Sequence, residues 1–302
     1  MHSLYGLSPS APAYINKAFV LVIVAASLVV NSSGVLLPSD LGDGTTPNLK
    51  AIFLGRCYDC EYCSEEQAGL YNCSGLWDAF SSSFSYQEPC NSVPEDFDDF
   101  VSMAFVPLAD NQTLFYSGMY SIAMAIGRQS SDFTNIELTM LGGLVDGMTF
   151  CGMVDAPGIN YDACPTFDSC ENDVDALWKE SSQYFAGQAS GEVTVILDGS
   201  RADGAYRPKS FFRPQEVANL DPAKVTSLTA YVVHSLNGDV TEKCVTGSLL
   251  QLQEDVATRE LNLNALTIQA SLATFNASRI QDTKHVDPKQ IRPPRLSARQ
   301  RF

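Results

Sequence analysis

A chain of 302 residues, 45% hydrophobic and 18% charged, has material for a sizeable core in one large domain or two small ones. Its formal net charge of −16 argues against a nucleic-acid partner, whose phosphates demand the opposite sign. The charge is uneven, because from Arg279 onward seven Lys/Arg face two Asp and an acidic body ends in a basic tail.

Near the N-terminus, Lys17 precedes an apolar run, Ala18–Val30, closed by Asn31-Ser32-Ser33. The run suits a signal-peptide core and falls short of the roughly 20 residues that cross a bilayer. Residues 1–33 therefore read as a signal peptide. The expected destination is secretion or the lumen of secretory vesicles or granules; the alternative is an uncleaved anchor and a type II membrane protein. Nine cysteines (57, 60, 63, 73, 90, 151, 164, 170 and 244) fit an oxidising compartment, and the odd count leaves at least one outside intramolecular pairs. Sequons at Asn31, Asn72, Asn111 and Asn276 point the same way. Cys57-x2-Cys60-x2-Cys63 lacks a fourth ligand at metal-site spacing, so disulfides are expected and metal is not.

Residues 34–48, rich in Ser, Gly and Pro, read as a linker. Residues 49–173 are mostly helical in pattern. Cys73–Phe84 puts Leu76, Trp77 and Phe80 on one face, and Phe97–Phe105 and Thr113–Arg128 repeat that spacing. Asn135–Met148 reads as an apolar helix with Glu137 in its first turn and Asp146 near its end. Residues 174–260 alternate. A helix near Val174–Gln188 precedes strand Val193–Leu197, a loop leads to strand Val225–His234, and Gly247–Arg259 is again helical. The expected fold is α/β (α+β): a helical N-terminal part packed on a C-terminal part with a small parallel sheet, a cleft between them, and disulfides stabilising both. Residues 261–302 read as a divergent, basic, disordered tail, with no core pattern from His285 onward.

The loop after strand Val193–Leu197 carries adjacent phenylalanines, Phe211 and Phe212, and a lone carboxylate, Glu216. Exposed aromatics beside an acid at the end of a buried strand suit a ligand site. Tyr116, Glu137, Asp146 and Trp178 are the other candidates. Each has a plain structural reading: Trp178 as core, Glu137 as favourable charge at a helix start, Glu216 as a solvated loop residue.

Several ordered segments resemble the ADP-ribosyl cyclase family, which comprises the molluscan cyclases and the vertebrate leukocyte-surface NAD glycohydrolases. They are FLGRC (Phe53–Cys57), CSGLWDAFSSSFSYQEPC (Cys73–Cys90), NQTLFYSGMY (Asn111–Tyr120), IELTMLGGLVDGMTFCG (Ile136–Gly152), CPTFDSC (Cys164–Cys170) and AYRPKSFF (Ala205–Phe212). The likeness spans about Phe53–Leu252 and looks closer to the molluscan members. It implies an enzyme that cleaves the nicotinamide–ribose bond of NAD or NADP, giving cyclic ADP-ribose, ADP-ribose, or both. The alternatives are a predominant glycohydrolase or a catalytically weak extracellular binding homologue.

By that resemblance Glu216, Glu137 and Trp178 are catalytic, with Glu216 ionised and facing the anomeric carbon. Phe115, Tyr116, Ser117, Asp146, Ser182, Ser210, Phe211 and Phe212 contact substrate. Tyr116 stands where the family has tryptophan, and Leu138 where it has an acid. Phe211 favours cyclisation and Tyr116 opposes it. The implied disulfides are Cys57–Cys73, Cys90–Cys170 and Cys151–Cys164. Cys244 matches a family cysteine whose partner lies downstream, where this chain has none, so Cys60, Cys63 or no partner at all stays open. The family's last strand is expected to be absent or replaced over Glu260–Phe275. Asn111 and Asn276 are the expected glycosylation sites. No cofactor is implied, since the dinucleotide is consumed, and a homodimer stays open.

Overall fold

The computed structural model describes residues 40–60, 69, 71–235, 241–244 and 246–270. The expected signal segment, Asn276 and the tail beyond residue 270 lie outside the described residues. Among the described residues no helix is long and apolar enough to cross a membrane.

The helical part rests on an aromatic core. Helices α1 (Leu49–Asp59), α2 (Cys73–Ser82) and α3 (Asp98–Ala104) converge on Phe53, Trp77, Phe80 and Phe100. Phe80 is fully buried and packs on Phe53 at 5.1 Å and on Phe150 at 4.9 Å. The predicted face of Leu76, Trp77 and Phe80 is buried as its spacing required. Cys57–Cys73 ties α1 to α2, Cys90–Cys170 spans the helical part, and Cys151–Cys164 closes a loop. All three bridges match expectation. Cys60 is also disulfide-bonded, and Cys244 is half-buried against the core with its sulfur as a thiol.

The second part is a parallel four-stranded sheet in the order β2 (Leu114–Ser117), β4 (Gly191–Asp198), β5 (Val225–Ser235), β6 (Asn262–Ala270). Both faces are covered, which is why β4 reads as a continuous apolar run rather than an alternation. Val193, Val195 and Leu197 face the main core, while Ile196 joins Tyr231 and Val233 under helix α4 (Tyr120–Gln129).

Four sequence expectations need correction. Thr113–Arg128 is not one helix: Leu114–Ser117 is a strand, and Gly118, with φ of 72°, turns the chain into α4. A four-residue apolar run does not reveal its period. Asn135–Met148 is also divided. Asn135 caps a 3-10 turn, Ile136–Leu138, and Thr139 then adopts extended backbone and caps α5 (Met140–Gly143). Two capping side chains four residues apart compete with a continuous helix. The supposed linker is partly structured: β1 (Leu41–Asp43) pairs antiparallel with β3 (Ala163–Pro165), and Thr45 hydrogen-bonds Cys151. Finally, the tail begins with a strand, because β6 completes the sheet against β5 through 270 where a replaced or absent strand was expected.

Helices α6 (Asp173–Gln188) and α7 (Ser248–Ala257) cover the sheet. Asn172 caps α6 by accepting from Asp175 N at 3.0 Å. Asp173, fully buried, accepts from Ser92 and from Gly152 N, fastening the helix start to two distant loops.

Phe80→Ala is expected to lower the unfolding free energy by about 3–5 kcal/mol, the usual cost of emptying a buried phenylalanine site. Denaturant titration measures it, and a change below about 1 kcal/mol would mean the core does not depend on this ring.

Candidate active site

Glu137 is positioned by its neighbours' lack of bulk and by one arginine. Gly142 passes so near the turn that a Cβ there would lie 2.3 Å from the Ile136 carbonyl oxygen. From α1, Arg56 Nη1 donates to the carbonyl oxygens of Gly143, Leu144 and Asp146 at 3.2, 3.3 and 2.8 Å. This clamp sets the segment carrying both Glu137 and Asp146. Tyr116 and Ser117 reach the same place from the C-terminal end of β2, where parallel sheets gather ligands. Trp178 and Ser182 sit one turn apart on α6. Glu216 closes a wide π-helical turn, Phe212–Glu216, in which Gln215 N and Glu216 N both donate to the Phe211 carbonyl, at 3.0 and 3.2 Å.

These elements enclose a cavity of about 830 Å³, within the usual range for small-molecule sites. It is lined by Tyr116, Ser117, Glu137, Asp146, Trp178, Ser182, Ser210, Phe211 and Glu216, nine of the eleven residues the resemblance nominated for catalysis and substrate contact. Phe115 and Phe212 are the two it excludes. Both are buried behind the wall, with Phe115 packed on Phe185 at 5.6 Å and on Phe212 at 6.0 Å. The loop thus shows one aromatic to the cavity, not two, and the second supports it from the core.

Glu216 and Glu137 are both buried carboxyls. Glu216 Oε1 accepts from Ser182 Oγ at 3.2 Å, and its Oε2 is buried with no hydrogen-bond partner. Burial, then the neighbouring Glu137 charge, pushes its pKa up to about 8, against the opposing Ser182 bond. Glu137 accepts from the Tyr116 hydroxyl, and its Oε2 is also unpartnered. Burial pushes its pKa up to about 7, the Tyr116 bond opposing and Asp146 adding. Asp146 in turn accepts from Tyr120 OH at 2.7 Å. In the protein by itself Glu216 therefore leans to its protonated form at neutral pH, whereas the ionised form was expected for its role against substrate. Desolvation without a paired cation favours the protonated form.

Sequence reasoning also passed over residues that line the cavity. Tyr120, Thr149, Phe167, Arg207 and Lys209 are among them. Arg207 and Lys209 stood inside the quoted AYRPKSFF segment, where two basic residues in an acidic chain were the available signal. Asn111 is exposed, with its Oδ1 accepting from Glu192 N at 2.7 Å. Among the described residues no group of His, Cys, Asp and Glu is arranged to hold a metal.

The raised carboxyls link stability to pH. The folded chain retains protons on Glu137 and Glu216 up to about pH 7–8, whereas the unfolded chain releases them near 4.5, so stability falls as pH rises through that window. Glu216→Gln removes its part of that penalty. Its Tm advantage over wild type is expected to be larger at pH 8.5 than at pH 5, and equal differences at both pH values would refute the assignment.

The family model for ADP-ribosyl cyclase matches residues 46–283, which takes in β6. ADP-ribosyl cyclase/cyclic ADP-ribose hydrolase 2 of Mus musculus is 34% identical over 70% of this chain and 68% of its own length. The Aplysia californica ADP-ribosyl cyclase/cyclic ADP-ribose hydrolase is 36% identical over 69% and 76%. A crystal structure of Aplysia cyclase with substrate NGD and product cGDPR superposes with a TM-score of 0.69 at 33% identity, over 75% of this chain and 91% of that one. Porcine CD38, as a complex with a covalent intermediate, gives 0.71 at 28% identity, over 76% and 99%. With a family match over most of its length and a fold shared with these enzymes, the chain belongs to the ADP-ribosyl cyclase family.

Proposed function

We propose that this protein cleaves the nicotinamide–ribose bond of NAD or NADP, releasing nicotinamide and forming cyclic ADP-ribose, ADP-ribose, or both. The observation that carries this reading is the buried Glu216 carboxyl, held by Ser182 in one cavity with Glu137 and Trp178, in a chain of this family.

Nicotinamide bonded to ribose is already cationic and leaves as a neutral base, so departure needs no general acid. Positive charge then develops on the anomeric carbon and ring oxygen. Glu216, as carboxylate, stabilises that charge or traps it covalently, as in retaining glycosidases. The cationic substrate brings positive charge of its own to the site. Opposite charge beside Glu216 favours its ionised form, reversing the effect of burial. Trp178 offers a flat π-face to the nicotinamide cation, and Glu137 adds negative charge beside the departing base. Phe211 supplies an aromatic surface against which the adenine folds toward the reacting carbon.

Product choice is a competition between adenine and water for one intermediate. Tyr116 bears on it directly, because its hydroxyl is held by Glu137 while its ring forms part of the wall. A phenol covers less area than an indole and brings a polar group into that wall. Water therefore competes, and both products are expected.

Three disulfides and the sequons support maturation through the secretory route, and secretion or a vesicle lumen is the compartment we propose.

Nicotinamide release from NAD by the purified protein tests the reading. Glu216→Gln is expected to lower kcat by about 100-fold or more, roughly 3 kcal/mol of transition-state stabilisation. Retained turnover in that variant would overturn the mechanism, and a wild type that binds NAD without cleaving it would mark a binding homologue. Since free Glu216 ionises near pH 8, kcat/KM should climb between pH 6 and 8.5, while kcat, which reports the substrate complex, levels off at lower pH. Tyr116→Trp is expected to raise the cyclic share of product, resolved by chromatography; a fall would reverse the role given to this wall.

A further inference from the structure

The cavity lining is electrically lopsided. Asp43, Glu137, Asp146 and Glu216 contribute four carboxyls, and Arg207 and Lys209 are its basic residues among those described. Arginines on the same loop differ in how far their charge is already matched. Arg201 makes a two-pronged bond to Asp203, Nε to Oδ1 at 2.8 Å and Nη2 to Oδ2 at 3.1 Å. Arg213 lies 3.3 Å from Asp255 and over the Tyr206 ring. Among the described residues the one carboxylate oxygen paired with Arg207 is Asp203 Oδ2, at 3.8 Å, an oxygen that Arg201 already holds. Its Nη2 donates to Ser117 Oγ at 3.4 Å, a neutral and distant acceptor, and its Nε is buried without one.

A guanidinium with a buried, unanswered N–H costs stability unless a ligand supplies the acceptor. Two residues on, Lys209 is exposed, lines the same cavity and forms none of the ion pairs found among the described residues. We infer that Arg207 and Lys209 hold the diphosphate of the dinucleotide, an inference that rests on the NAD-cleavage reading. The guanidinium fork takes two non-bridging oxygens, and the Lys209 ammonium adds a mobile point charge. Substrate is then oriented by its own dipole. Its cationic pyridinium end is drawn to Glu216, Glu137 and Asp146, and its anionic middle to the basic pair. In a chain of net charge −16 this pair also offsets the repulsion an anionic dinucleotide meets on approach.

The test compares NAD with nicotinamide riboside, which carries the same scissile bond and no diphosphate. Arg207→Gln is expected to raise KM for NAD about tenfold with kcat little changed, the cost of one charge-assisted hydrogen-bond pair. The ratio of kcat/KM for NAD to that for the riboside should fall by the same factor. Lys209→Gln should give a smaller drop that fades in high salt, and Arg207→Lys should restore part of the ratio. Calorimetric binding of ADP-ribose to the wild type and to Arg207→Gln supplies a readout independent of turnover, with affinity expected to fall in parallel. Equal losses on both substrates would reduce Arg207 to a structural role and overturn the assignment, as would unchanged ADP-ribose affinity. If the wild type released no nicotinamide from NAD, the cleavage reading would fail, and ADP-ribose binding would still decide the subsite.

Discussion

Two carboxyls, Glu216 and Glu137, buried in one cavity with no ion pair to either among the described residues, are the constraint on which the rest of this structure turns. Each leaves one oxygen without a hydrogen-bond partner among the described residues, and the Glu137 charge adds to the rise of the Glu216 pKa. Such an arrangement lowers stability and persists only where the scaffold over-determines it. The scaffold does so from several directions. Arg56 grips three carbonyls around the Glu137–Asp146 segment, Gly142 lets α5 press against the turn below, and Ser182 holds Glu216 from the middle of α6. Asp173 anchors the start of that same helix to Ser92 and Gly152. The site's polarity is preformed, and its carboxyls suit the positive charge of a pyridinium nucleotide.

The division of labour between the two parts follows from what each supplies. The parallel sheet is buried on both faces and gives a rigid platform whose strand ends deliver Tyr116, Ser117 and the loop to Glu216. The helical part contributes the opposing wall through short turns rather than long helices. Short turns allow Glu137 to be set by caps at Asn135 and Thr139, independent of any helical repeat. The N-terminal strand β1 crosses onto β3 and lines the cavity with Gly42 and Asp43. A segment with linker composition is thereby part of the wall.

Elements with a long period and clear caps were readable in the sequence. The helix Asp173–Gln188 and strands β4 and β5 cover the expected Val174–Gln188, Val193–Leu197 and Val225–His234. The three disulfides and nine cavity residues followed from family likeness, not from pattern. What failed were features decided by tertiary context. Leu114–Ser117 is too short to show whether it repeats every two residues or every 3.6, and β6 gains its identity only by pairing with β5. Phe115 and Phe212 are aromatic, near the site in sequence and part of recognised motifs, yet alternation along strand and turn sends them into the core. The rise in the Glu216 pKa had no signal in the sequence, because a carboxyl's acidity depends on what surrounds it and sequence does not report burial.

Tyr116 couples two properties of the wall, its shape and the charge beside it. Its phenol ring lines the cavity, and its hydroxyl donates a hydrogen bond to Glu137. That bond lowers the Glu137 pKa against the stronger upward push of burial, so the ring that shapes the wall also tunes the charge beside it. The Tyr116 hydroxyl meanwhile is driven further toward its neutral form by the same desolvation and by Glu137, which keeps it a donor and keeps the pair intact. The shape of the wall and the acidity of Glu137 are therefore set through one side chain. The same hydrogen bond fixes the orientation of the Glu137 carboxyl.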